Sequence, residues 1–135
     1  MTEYLYINAD GPDNEAVRRG LIWLSNTPEN QEAILMIPTF RNLEGVIETV
    51  IGTEGKKTLL KNKEAHFDGK MVKLCTNQSF RHTHLPVRML AVYQDSKSLD
   101  EIESSYSNLE SIMVIPWGSS DIDEWKEIRQ ARYYG

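Results

Sequence analysis

Arg41 stands just before the polar start of a predicted helix, in "PTFRN". Its planar guanidinium can hold a carboxylate or a phosphate through two parallel hydrogen bonds, although a surface ion pair is the simpler role for it. Asp10, in "ADGPDN", follows the first predicted strand. Its carboxylate can stabilise a turn or act as an acid or base. A small phosphate-handling hydrolase that uses Arg41 with Asp10 is therefore one hypothesis.

Two histidines, His82 and His84 in "RHTHLP", offer a second arrangement for the same hydrolase. Residues two apart point to one side of an extended chain, and imidazole exchanges protons near neutral pH. No acidic residue or cysteine lies close to them in the sequence, so we predict no metal site. Histidines on an exposed loop are the simpler interpretation.

Motifs of the common catalytic and nucleotide-binding families are absent from the sequence. It contains no G-x-x-x-x-G-K-[ST], no G-x-G-x-x-G after a strand and no G-x-S-x-G. The single cysteine, Cys75, ends a predicted strand, where a buried apolar role is simpler than a nucleophilic one. We therefore predict no cofactor and favour a non-catalytic binding function over an enzymatic one.

Short apolar or alternating runs predict four strands that are buried in a sheet. These runs are residues 3–8, 33–38, 87–93 and 111–116. In addition, Asp68-Gly69 supplies the positive φ angles of a two-residue turn. It predicts an antiparallel hairpin near residues 64–76.

Apolar residues at helical spacing predict helices between these strands. The first helix runs from Asp13 to about Asn26, and residues 52–63 are predicted to form one short helical turn. The second helix, which follows the strand at 33–38, has an apolar stripe. Its members are Leu43, Val46, Ile47, Val50 and Ile51.

Capping residues predict the starts of two later helices. Ser98 with Glu101 is a capping-box spacing, and Ser119 or Ser120 precedes a first turn rich in acidic residues. The buried face of the last helix is predicted from Ile122, Trp125 and Ile128.

Helices that alternate with buried strands predict right-handed crossovers and a sheet covered on both faces. We expect one α/β domain over residues 1–135. It is a three-layer sandwich with a mostly parallel sheet, Rossmann-like in the loose sense, plus the antiparallel hairpin near residues 64–76. The strand order stays open, and the alternative is an α+β sandwich in which the hairpin dominates the sheet.

In open α/β sheets, ligands bind beyond the carboxyl ends of the strands. The loops there predict a binding rim, although most of its residues are also of types that cap helices or form turns. Trp117 is either a packing lid over the sheet end or a stacking platform for a flat ligand. The predicted ligand-binding residues are Asp10, Thr39, Arg41, Asn42, Trp117, Ser119 and Ser120, with Asn8, Gln94 and Asp95 also on the rim.

Composition and charge limit the partners and the location of the protein. Of the 135 residues, 40% are hydrophobic and 26% are charged, as in ordinary folded domains. A net charge of −5 argues against nucleic acid as a partner. Residues 56–88 nevertheless carry eight basic residues against two acidic ones. That segment is either a solvated surface or a local anion-binding face.

No apolar run approaches the roughly 20 residues of a membrane span, and a lone cysteine fits a reducing compartment. We therefore expect a soluble, cytoplasmic protein without membrane contact. The leading hypothesis is a binding module that recognises a protein partner or a small anionic ligand, such as a nucleotide, at the carboxyl-end rim. The aromatic residues of "QARYYG" are a candidate surface for homo-oligomers.

Overall fold

A computed structural model describes residues 2–134 of the chain. It contains seven strands: β1 (Glu3–Tyr6), β2 (Glu32–Ile37), β3 (Glu64–Phe67), β4 (Lys70–Thr76), β5 (Val87–Val92), β6 (Leu109–Ile115) and β7 (Arg132–Tyr133). The four helices are α1 (Asn14–Ser25), α2 (Val46–Asn62), α3 (Ser96–Ser105) and α4 (Asp123–Arg129). Two 3₁₀ turns, Phe40–Leu43 and Ser119–Ile122, precede α2 and α4.

All seven strands form one sheet in the order β3-β4-β2-β5-β6-β1-β7. Only β3 and β4 pair in the antiparallel direction, and the other five pairings are parallel. The predicted α/β class, the mostly parallel sheet and the hairpin are therefore confirmed. Asp68 and Gly69 both have positive φ, as their two-residue turn requires.

Two apolar cores lie on opposite faces of the sheet and make the predicted three layers. Alternate strand residues such as Leu35 and Leu90 pack with α1 and α2 on one face. Their neighbours, such as Met36 and Met89, pack with α3 and α4 on the other. Because both faces are covered, the strands are nearly continuous in apolar character.

α2 is longer than predicted. It runs to Asn62 and kinks at Gly52, where φ is +85°, so the expectation of one short helical turn in residues 52–63 is wrong. Leu59, which is fully buried, holds this second part against the first core. The stripe predicted for the second helix starts in the 3₁₀ turn, at Leu43, and continues in α2 with Ile47 buried.

The start of α3 and the buried face of α4 also differ in detail from the prediction. The N-cap of α3 is Asp95, whose carboxylate accepts the Ser98 N–H at 2.8 Å. The predicted capping box of Ser98 with Glu101 is therefore wrong. In α4, Trp125 is buried but Ile128 is 60% exposed, contrary to prediction. Ile128 lies in the last turn of α4, and Ala131, just beyond the end of the helix, packs against the core instead.

β7 is an edge strand that the sequence did not reveal. It pairs in parallel with β1 and leaves Tyr133 exposed. Gly135, the last residue of "QARYYG", lies outside the described residues. Within residues 2–134, no helix is both long enough and apolar enough to cross a membrane.

Candidate functional site

The carboxyl ends of the parallel strands lie together at one end of the sheet, as predicted. From β2 the chain continues into α2 on one face, whereas from the neighbouring β5 it continues into α3 on the other. Chains that leave adjacent strands toward opposite faces open a crevice between them, where ligands of such sheets bind.

A cavity of about 350 Å³ lies at these carboxyl ends. That volume falls within the usual range of small-molecule sites. The loops after β1, β2, β5 and β6 all contribute to it. Its lining residues are Pro12, Asn14, Arg41, Asn42, Glu44, Gly45, Val46, Thr49, Tyr93 and Trp117. We call this space the rim cavity.

Two aromatic rings form one wall of the rim cavity. Tyr93 and Trp117 are in edge contact, with ring centroids 5.1 Å apart and an interplanar angle of 83°. Trp117 nevertheless stays 49% exposed. Its indole therefore packs against Tyr93 and also leaves surface against which a flat ligand could stack.

Tyr93 has two energetically unfavourable features, a strained backbone and a buried hydroxyl without a hydrogen-bond partner in the described chain. Its backbone φ is +63°, in the left-handed region that residues other than glycine rarely adopt. Its hydroxyl is buried and has no hydrogen-bond partner within residues 2–134. Burial of the ring, with Asp13 nearby, raises the pKa of this phenol, which is therefore neutral at pH 7. Such strain concentrates at functional sites.

Replacement of Tyr93 by Phe is expected to stabilise the ligand-free protein by about 1 kcal/mol, because it removes a buried group without a partner. Urea denaturation at pH 7 measures this change. The control is Tyr106→Phe, which should destabilise, since the Tyr106 hydroxyl accepts the Arg81 N–H and donates to Cys75 Sγ. Loss of stability in Tyr93→Phe would mean that the hydroxyl is satisfied.

Arg41 supplies the cationic group of the rim cavity. It is exposed and forms no ion pair within the described part of the chain, so the simpler role considered for it finds no support there. Glu44, three residues on, places a carboxylate in the same lining. The cavity therefore offers one guest a cation that can bind an anion, a carboxylate and two aromatic rings.

The other predicted ligand-binding residues mostly serve the local backbone. Asn42 lines the cavity, but its Oδ1 accepts the Thr39 N–H at 2.9 Å, so this pair caps the 3₁₀ turn. Asp10 accepts the Ser119 N–H at 2.8 Å, and this bond lowers the pKa of Asp10. The lining of the rim cavity includes none of Asp10, Thr39, Ser119 or Ser120.

The remaining rim residues also have structural partners or stand apart. Gln94 and Asn77 exchange two amide hydrogen bonds, at 2.7 and 2.9 Å. Asp95 caps α3, and the Ser98 N–H lowers its pKa. Asn8 is exposed and does not line the cavity.

His82 and His84 lie near the amino ends of the strands, away from Arg41. Between them, Thr83 bonds to Glu32 at the start of β2, and both histidines line a separate cavity with Asn108. The two arrangements considered for a hydrolase, Arg41 with Asp10 and His82 with His84, therefore lie at opposite ends of the strands and form no common site. Within residues 2–134 no group of three or more His, Cys, Asp and Glu side chains is arranged to hold a metal.

Cys75 is fully buried, and burial raises the pKa of its thiol. A buried thiol of raised pKa is largely protonated at neutral pH and is a poor nucleophile. The geometry fits the apolar role considered for this residue.

The basic segment at residues 56–88 is largely engaged within the protein. Four of its cations pair with carboxylates, in Lys56–Glu48, Lys57–Glu54, Lys73–Glu32 and Arg81–Glu64. The ammonium groups of Lys63 and Lys70 donate to backbone carbonyls. These contacts favour a solvated, paired surface over a free anion-binding face.

Sequence reasoning missed Tyr93 and Glu44 as cavity residues. An aromatic residue at the end of a strand is common both in a core and in a turn, so Tyr93 gave no signal of a site. Its left-handed φ cannot be seen in the sequence. Comparison of the chain with protein-family models, with curated proteins and with solved structures gave no match.

Proposed function

We propose that the protein is a binding module whose rim cavity takes a small anion with a planar ring, of which a nucleotide is the model. The observation that carries the proposal is the arrangement of Arg41, free of any carboxylate partner in the described chain, in one cavity with Tyr93 and Trp117. A guanidinium binds phosphate or carboxylate, and an exposed indole stacks on a flat ring.

Each chemical group of a nucleotide has a counterpart in the cavity. The phosphate would pair with Arg41, and the base would stack on Trp117. Glu44 would accept a hydrogen bond from an exocyclic amino group, since an ionised carboxylate is an acceptor only. Because the cavity already contains this carboxylate, an anion without a donor group should bind less tightly.

The three tryptophans make the test specific. Trp117 lines the rim cavity, Trp23 lines a different one, and Trp125 is fully buried. In a ¹⁵N-labelled sample titrated with adenosine 5′-monophosphate, the indole N–H signal of Trp117 should shift and saturate. The signal of Trp125 should stay in place.

Arg41→Gln is expected to weaken this binding about tenfold or more, because it removes the charge-assisted bonds to the phosphate. The same titration measures the loss. The matched control is Arg18→Gln, which removes an exposed arginine that pairs with Glu15 on α1, and it should leave the affinity unchanged. A silent Trp117 at millimolar nucleotide, or equal affinity in both variants, contradicts the proposal.

A further inference from the structure

A second, larger cavity lies beside the edge strand β7 and its neighbour β1, and no part of the proposed function uses it. Its volume is about 530 Å³. Trp23, Tyr134 and the side chain of Leu5 form much of its wall, and two charged residues and Tyr133, whose ring packs on Tyr6, complete it. The lining is Glu3, Leu5, Trp23, Arg132, Tyr133 and Tyr134. We call this space the edge cavity.

Positive charge exceeds negative charge around the edge cavity. Its one carboxylate, Glu3, pairs with Arg132 at 2.6 Å. Two further guanidinium groups lie against its aromatic residues, although neither belongs to the lining: Cζ of Arg88 is 4.4 Å from the ring centroid of Trp23, and Cζ of Arg19 is 5.5 Å from that of Tyr134. Each also donates to the backbone carbonyl of the same aromatic residue. Within residues 2–134 neither of them pairs with a carboxylate. The surroundings therefore carry a net charge of about +2.

The hydrogen-bonding capacity beside this cavity is also incomplete. Arg88 donates through Nη1 to the Trp23 carbonyl, but its Nε is buried and has no partner in the described residues. Ser111 of β6 lies opposite Arg88 of β5 on one side and Glu3 of β1 on the other. Its buried hydroxyl also has no hydrogen-bond partner in the described residues. Buried donors without acceptors are costly, and an oxygen-bearing guest that reached this row would relieve that cost.

We propose that the edge cavity is a second binding site, for a small aromatic carboxylate. The ring would pack against the walls formed by Trp23 and Tyr134. The carboxylate would be held by the excess guanidinium charge. The charge complementarity selects an anion over a neutral ring, and the volume fits a small organic molecule.

Benzoate tests the site directly, with the neutral isostere benzamide as its control. At low ionic strength, where charge interactions are least screened, benzoate should shift the Trp23 indole signal in a saturable way. Benzamide should bind at least about fivefold more weakly. A Trp23 signal that does not respond to benzoate, or that responds equally to both compounds, overturns the proposal. A shift confined to Trp117 also overturns it.

Two exposed residues give variants of opposite sign. Glu3→Gln frees Arg132 and removes the one carboxylate of the lining, so benzoate affinity should rise about threefold to fivefold. Arg132→Gln should lower it by a similar factor, because it leaves Glu3 unpaired in the cavity. The matched control, Glu15→Gln, makes the same change in net charge on the exposed surface of α1 and should have no effect. Weaker binding in Glu3→Gln would overturn the proposal.

Discussion

Trp125→Ala is expected to lower the free energy of unfolding by about 3–5 kcal/mol. Trp125 is fully buried and lies in the core between the sheet and the helices α3 and α4. Its ring meets Tyr4 of β1 edge to face at 6.0 Å, and its Nε1–H donates to Glu103 of α3 at 2.6 Å. Its removal leaves a cavity and takes one hydrogen-bond partner from a carboxylate with little exposure.

The effect extends beyond lost volume, because Glu103 also binds Arg129 at 2.9 Å. One carboxylate thus connects α3 with two residues of α4. Trp125→Phe keeps most of the ring volume but removes the Nε1–H, so it should cost less than the alanine variant, about 1–3 kcal/mol. The difference between the two variants separates packing from hydrogen bonding.

Calorimetry and urea denaturation measure the change, and the expected fall in Tm for Trp125→Ala is roughly 10–20 °C. Trp117→Ala is the matched control. The same side chain is removed from a half-exposed position, so the cost should be about 1 kcal/mol or less. Equal losses in the two variants would contradict the view that Trp125 holds the second helical layer.

The fold was predictable because its strongest signals are local. Continuous apolar runs such as 33–38, which ends in proline, indicate strands that are buried on both faces, and the structure places β2 inside the sheet, between β4 and β5. Asp68-Gly69 has one economical backbone solution, a tight hairpin turn. The parallel arrangement then follows from helices that connect these strands.

Other features depend on contacts between distant residues. β7 has two residues, and its pairing with β1 and the Arg132–Glu3 ion pair cannot be seen in "ARYY" alone. The second half of α2 contains two glycines and three lysines, which obscure a helix that Leu59 holds against the core. Tertiary packing there overrides a weak local preference.

The candidate site was predicted in its position more than in its members. Parallel strands bring their carboxyl ends to one end of the sheet, so Arg41, Asn42 and Trp117 meet there as expected. Asp10 and Thr39 instead satisfy nearby backbone or side-chain groups. Sequence types alone cannot separate these two uses, because the same oxygen atoms suit a cap and a ligand.

Asn77→Ala is expected to cost about 2–3 kcal/mol, although Asn77 lies in a loop. Its amide exchanges two hydrogen bonds with Gln94, which is 2% exposed. Without Asn77, the buried amide of Gln94 would lose both its acceptor and its donor. Gln94 directly follows Tyr93, so the pair also fixes the backbone that holds Tyr93 at the rim cavity.

Urea denaturation of three variants resolves this effect. Gln78→Ala, at the exposed neighbouring position, should stay within about 0.5 kcal/mol of the parent protein. Adding Gln94→Leu to Asn77→Ala should recover at least about 1 kcal/mol, because an apolar side chain then replaces the unsatisfied amide. If the double variant is less stable than Asn77→Ala alone, the cost lies in the loop backbone rather than in the buried amide. Recovery would show that the unsatisfied amide of Gln94 causes the loss in Asn77→Ala.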